Sequence, residues 1–166
     1  KNIIKNQKNI EDDKDITLIL PLAGKGSRFT KENYKLPKPL IEVSGKPMII
    51  QAVNSIPKTK NHIFICLEDH IKNYKLDKVL NNNYPEPKII GINNVTQGQA
   101  CTCELGLKDF NMEKPILISA CDNGVHYDHD KYYKMMNDNS IDVIVWSFRN
   151  NPASKNNPTM YAWMDV

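Results

Sequence analysis

Residues 16–23, ITLILPLA, form an unbroken apolar run. Short runs of the same kind recur at HIFICL (62–67), KIIGI (88–92), PILISA (115–120) and IDVIVWSF (141–148). Apolar stretches of this length predict strands buried on both faces of a sheet. The segments between them carry apolar residues at helical spacing. PMIIQAVNSI (47–56) opens with Pro47, which suits a first helical turn. EDHIKNYKLDKVL (68–80) begins with acids, which complement a helix N-terminus, and continues through Ile71, Leu76, Val79 and Leu80. Residues 98–107 and 129–138 predict two further helices, and 24–38, without a clean period, a long loop. The order is βαβαβαβαβ. Such alternation predicts an α/β fold of three α/β/α layers around a mostly parallel sheet. Ligands of these sheets bind beyond the carboxyl ends of the strands. The loops after the first and fourth strands are therefore where function is sought.

Composition narrows the class. The chain has 166 residues, 40% apolar and 25% charged, which fits a globular domain and not a disordered one. No apolar run reaches the roughly 18 to 20 residues of a membrane-spanning helix. A net charge of +3, with no basic stripe, does not indicate a nucleic-acid partner. Arg28 and Arg149 are the only arginines in a Lys-rich chain, so a position that keeps Arg points to a need for its planar fork of donors. Cys66, Cys101, Cys103 and Cys121 form no C-x-x-C pair. Neither a zinc site nor a disulfide framework is expected, and the compartment is read as reducing and cytoplasmic. Residues 1–15 are polar and read as a linker or tail of a longer polypeptide, with one domain over 16–166.

The loop after the first strand holds the strongest chemistry. It reads Leu22-Ala23-Gly24-Lys25-Gly26-Ser27-Arg28-Phe29, followed by Leu36-Pro37-Lys38-Pro39-Leu40. Gly24 and Gly26 allow backbone N–H groups close to a phosphate. Ser27 adds a hydroxyl, and Arg28 and Lys38 add positive charge. A P-loop is excluded because Lys25 precedes Gly26, and a dinucleotide fingerprint because position 29 is Phe. A generic glycine turn with surface cations is the bland alternative.

The string LAGKGSRF…LPKPLIEVSGKPMI resembles the signature of sugar-phosphate nucleotidyltransferases, the NDP-sugar pyrophosphorylases: G-x-G-[ST]-R, then P-K-P-[LM], a short strand, and G-x-P-[ML]-[IL]. The resemblance continues through Thr96-Gln97-Gly98-Gln99-Ala100 and Asp122, so it covers about 16–166. It implies a Rossmann-like nucleotide-binding part. It also implies transfer of a nucleoside monophosphate from a nucleoside triphosphate to a phosphorylated acceptor, a sugar 1-phosphate or similar, with release of pyrophosphate. Arg28 and Lys38 are implied to hold the reacting phosphates. Leu22, Ala23, Gly24, Lys25, Gly26, Ser27, Gln97 and Gly98 are implied to bind the nucleotide, and Asp122 a Mg²⁺ ion. Lys25 and Gln97 have competing readings, a solvated cation and a plain helix start. Asp122 has the competing reading of a turn cap.

The acceptor part of such enzymes is expected beyond residue 166. Homo-oligomers, and further domains in a longer polypeptide, fit the same picture. Two rivals stand beside this one. The first is CTP-dependent cytidylyl transfer to a non-sugar phosphate such as phosphocholine. The second is a non-catalytic regulatory module, which the joint presence of Arg28, Lys38 and Asp122 disfavours. The group His126, Asp128, His129 and Asp130 reads as the polar start of a helix and not a metal cluster. Trp146 and Trp163 read as core or pocket wall.

Overall fold

A computed structural model describes residues 15–24, 26, 34–108 and 110–165. The described residues fall into two compact units, divided between His126 and Tyr127.

The first unit contains a four-stranded sheet. Its strands are β1 (Thr17–Pro21), β4 (Asn61–Leu67), β5 (Lys88–Ile92) and β6 (Ile116–Ile118), in the spatial order β5-β4-β1-β6. Every pairing is parallel, with Leu20 opposite Phe64 and Ile19 opposite Ile118. The expected continuous apolar runs are explained by the two-fold period of a strand, which sends neighbours to opposite faces. Leu18, Leu20, Phe64 and Cys66 enter one core with Ile49, Ile50, Leu76 and Leu80. Ile19, Ile63 and Ile65 enter a second core with Cys103. Helices α1 (Met48–Ser55) and α3 (Leu76–Asn83) supply the first core, and α4 (Gln99–Leu107) the second. These are the three layers that the α/β order predicts.

Three local features depart from expectation. The single helix over 68–80 is two, α2 (Glu68–Tyr74) and α3, broken at Lys75. Lys75 takes a left-handed conformation at φ 56° and caps the break by donating from Nζ to the Lys72 carbonyl at 2.7 Å. The helix restarts with Leu76 and Leu80 both fully buried. Between the loop and α1 lies a small hairpin, β2 (Glu42–Val43) with β3 (Lys46–Pro47). Its turn residues Ser44 and Gly45 have φ 49° and 80°, the positive values that a two-residue hairpin demands.

The expected fifth strand over 141–148 is absent: none of those residues belongs to a sheet. A strand needs a hydrogen-bonded neighbour, and propensity alone does not supply one. Val143 is 75% exposed and Val145 61%.

The second unit is organised around α5 (His129–Met136). Asp128 caps it, its carboxylate accepting from the Lys131 N–H at 3.0 Å, as the polar start of that segment suggested. Buried Tyr132 packs on Trp146 at 5.7 Å, and Tyr127 meets the same Trp at 5.4 Å. Trp163, expected in a core or pocket wall, is 68% exposed and donates from its ring N–H to the Pro158 carbonyl. A short helix, α6 (Pro152–Asn156), is capped by Asn151. No helix among the described residues is long and apolar enough to cross a membrane.

Candidate active site

The strand order sets where a ligand can bind. From β1 the chain moves outward through β4 to β5, then returns across the sheet to β6 on the other side of β1. Loops leaving β1 and β6 therefore diverge and leave a crevice at their carboxyl ends. A cavity of about 570 Å³ lies there. Its walls are Pro21 to Gly24 and Gly26 at the end of β1, Lys38 and Pro39, then Val95, Thr96, Gly98, Gln99 and Thr102 around the start of α4, and Ala120 to Asp122 after β6.

Each wall is fixed by ordinary packing. Leu22 and Ala23 are buried, and the Leu22 N–H donates to the Ile65 carbonyl at 2.7 Å, which extends β1 to the rim. The P-K-P-L segment folds into a 3₁₀ turn, closed by the Leu40 N–H on the Pro37 carbonyl at 2.8 Å. Pro39 and Leu40 are buried and anchor that turn. Lys38 thereby lines the cavity, where its Nζ lies 2.5 Å from Oδ2 of Asp122.

The glycines differ in what they require. Gly26 has φ 58°, and a Cβ there would stand 3.3 Å from the Lys38 Cβ, so backbone conformation and crowding both favour glycine. At Gly24 and Gly98 an added Cβ would meet nothing within 4 Å, and neither residue has a left-handed φ. Packing within the protein does not explain these two.

Nucleophilic chemistry by cysteine is disfavoured. Burial pushes the Cys121 thiol up to about 11; Lys38 lowers it slightly and Asp122 raises it. Burial, with a contribution from Asp77, pushes Cys66 to about 12. Both are thiols at neutral pH and poor nucleophiles. Burial lowers the pKa of His62 and His70, and neither lines the cavity. Among the described residues no three His, Cys, Asp or Glu side chains gather to hold a metal. From the described residues the cavity instead offers the Asp122 carboxylate, the Lys38 ammonium and many backbone groups.

Of the residues singled out in the sequence, Leu22, Ala23, Gly24, Gly26, Lys38, Gly98 and Asp122 meet at this cavity. Lys25, Ser27 and Arg28 lie outside the described residues. Gln97 does not line the cavity; Gln99 does, with Thr96 and Thr102. No role was legible for those three from the sequence, although Thr102 follows Gly98 by one helical turn.

The fold is a Rossmann-like α/β architecture with a cavity at the topological switch point. No family model and no curated protein matches the sequence. Solved structures do share the fold. The nucleoside-diphosphate-sugar pyrophosphorylase from Vibrio cholerae RC9 matches with a TM-score of 0.54 and 22% identity, over 70% of this chain and 52% of that one. The inositol-1-phosphate CTP transferase from T. maritima matches at 0.53 and 17%, over 66% and 44%. HddC from Yersinia pseudotuberculosis matches at 0.53 and 19%, over 74% and 54%. The chain thus spans about half the length of these structures.

Proposed function

We propose that this chain carries the donor-nucleotide part of a nucleotidyltransferase. The reaction is attack by a phosphate oxygen of the acceptor on the α-phosphorus of a nucleoside triphosphate. The bond from the α-phosphorus to the bridging oxygen breaks, and pyrophosphate leaves. The observation that carries this reading is the meeting of Lys38 and Asp122 at the switch-point cavity, beside a glycine loop whose Gly24 has open space around it. Likeness in fold to a sugar nucleotide pyrophosphorylase and to a CTP transferase supports it.

The acceptor phosphate is already anionic at neutral pH, its second pKa being about 6. No general base is therefore needed. The task of the protein is to hold like charges together and in line. Lys38, and Arg28 on the strength of its motif, neutralise the phosphates. Gly24 and Gly26 let backbone N–H groups approach them, with Ser27 and Lys25 in the same loop. Leu22, Ala23 and Gly98 border the nucleoside, and Gln97 stands next to that wall.

The donor set fits Mg²⁺ only in company with a nucleotide. Mg²⁺ keeps several waters and is commonly bound by one or two carboxylates plus substrate phosphates. Asp122 is one such carboxylate, at the cavity and partly exposed. When bound, the ion would offset charge on the triphosphate.

The acceptor is a sugar 1-phosphate or a similar phosphate ester. With a sugar the product would be an activated sugar of the kind that feeds polysaccharide biosynthesis. Residues 16–166 act in this reading as the nucleotide-binding part of a longer polypeptide, which could be homo-oligomeric. The unpaired cysteines accord with a reducing, cytoplasmic setting. A thermal-shift panel of ATP, CTP, GTP, UTP and dTTP with Mg²⁺ tests the reading. One triphosphate should raise the midpoint well above the others. A flat response to all five would overturn it.

A further inference from the structure

The lining of the cavity divides by chemistry. Lys38 and Asp122 carry the charge, while Val95, Thr96, Gly98, Gln99 and Thr102 are neutral. The neutral wall is built around one carbonyl oxygen, that of Gly98. Thr96 Oγ1 lies 2.8 Å from it and Thr102 Oγ1 3.1 Å, and the two hydroxyls are 2.6 Å apart. The Thr102 N–H donates to the same oxygen at 3.1 Å.

A carbonyl oxygen has two lone pairs and each hydroxyl one proton. Two arrangements satisfy every group: one threonine hydroxyl donates to the other, the second donates to the Gly98 oxygen, and the Thr102 N–H fills that oxygen's second lone pair. Thr102 is only 5% exposed, so its hydroxyl is costly to bury unless bonded. The peptide so held is bare. Gly98 is extended, at φ 175°, and open space surrounds the position of a Cβ.

We propose that Thr96 and Thr102 are positioning residues for the nucleoside end of the donor. They clamp the Gly98 peptide so that it offers a fixed edge against which the base is selected. This rests on the nucleotidyltransferase reading. A nucleobase is flat and uncharged, so a neutral wall suits it, while the triphosphate is held by charge elsewhere in the cavity. Base discrimination by hydrogen bonds needs that wall fixed within about 0.5 Å. The geometry also builds in redundancy. Either hydroxyl reaches the Gly98 oxygen without the other, so losing one leaves a replacement.

The test uses Thr96→Val, Thr102→Val and the double variant in the full chain. Calorimetry with Mg²⁺ measures affinity for the five nucleoside triphosphates and for inorganic triphosphate. Each single change should weaken the preferred nucleotide by no more than about threefold, and the double by about tenfold, because coupled hydrogen bonds are not additive. The gap between the preferred nucleotide and the other four should narrow. Inorganic triphosphate affinity and the thermal midpoint should hold, and the Thr96→Ser/Thr102→Ser pair should behave as the parent. If the double valine does not fold, Thr96→Ala with Thr102→Cys serves the same purpose with less change in volume. A folded double variant with parental affinity and base preference overturns the proposal. So does one that loses inorganic triphosphate in step with nucleotide, since that marks a general structural role. In either case nucleotide binding by the parent keeps the underlying reading intact. A parent that binds none of the five overturns both.

Discussion

Lys38 Nζ stands 2.5 Å from Asp122 Oδ2, across 84 residues of chain. The pair joins the turn after the glycine loop to the segment that follows β6. In the proposed function these groups have other partners, the phosphates for Lys38 and the metal for Asp122. Lys38 therefore competes with a cation for the carboxylate, and a triphosphate that draws Lys38 away leaves Asp122 to the metal. Metal and nucleotide should bind with positive coupling.

Lys38→Met tests this directly. Without nucleotide, the variant should bind Mn²⁺ about fivefold more tightly than the parent, the range of a partly exposed ion pair. Its nucleotide affinity should fall by about 10- to 100-fold through loss of charge-assisted contacts. Asp122→Asn should lose the metal response in both states. Manganese titration by electron paramagnetic resonance reads all three. Equal Mn²⁺ affinity in the parent and Lys38→Met would show that the pair does not compete with metal.

Gly24 and Gly98 offer a test that separates ligand from fold. Open space around both positions means that Gly24→Ala and Gly98→Ala should leave the thermal midpoint unchanged or slightly raised, as alanine restricts the unfolded chain. Nucleotide binding should weaken by about tenfold or more if a ligand approaches that backbone closely. A variant with parental affinity would remove its glycine from the contact surface.

The legible parts of the molecule are those where one physical cause dominates. The apolar runs at 16–23 and 62–67 became central strands because no surface position interrupts them. Cations at Lys38 and the acid at Asp122 were placed at one edge by topology alone, since both follow strands. The rest depended on contacts distant in sequence. Lys75 breaks a helix by taking a left-handed backbone conformation, which no Gly or Pro marks. IDVIVWSF has the residues of a strand but no neighbour to pair with among the described residues. The hydrogen bonds among Thr96, Gly98 and Thr102, and the presence of Gln99 on the cavity wall, turn on where α4 begins, and helix starts are set by single hydrogen bonds.

Stability should depend on pH through a buried imidazole. His62 is buried on β4, its ring 4.7 Å from Tyr84 and 6.1 Å from Phe64, and Nδ1 has no hydrogen-bond partner among the described residues. Burial lowers its pKa below 6.5, and burial likewise lowers that of His70 against a raising effect of Asp69. Below that value the unfolded chain takes up a proton that the folded chain resists, so stability falls as pH drops. Above it both states are neutral and the effect vanishes. The thermal midpoint should therefore decline from pH 7 to pH 5, and His62→Phe should flatten the decline. Asp15 and Asp138, both held below 3.8 by hydrogen bonds, act in a separate and more acid window. An equally steep decline in His62→Phe would assign the effect to another group.

Gly106 governs how closely α4 lies on the sheet. A Cβ there would stand 3.1 Å from Ile65 Cδ1, 3.3 Å from Ile63 Cγ2 and 3.4 Å from Ile19 Cγ2. Those three side chains belong to the second core, and Ile19 and Ile65 are fully buried. A methyl group forces shifts of a few tenths of an ångström, while helix propensity favours alanine over glycine by about 1 kcal/mol, so Gly106→Ala should lie near neutral. A larger side chain has no such offset. Gly106→Leu must displace α4 from β1 and β4, at a cost of about 3 kcal/mol, the upper end of ordinary overpacking. Because α4 also carries Thr102 to the cavity, the same displacement should weaken nucleotide binding. Chemical denaturation of both variants checks the first effect and calorimetry the second. A leucine variant with parental stability would mean that the seam between α4 and the sheet yields without loss.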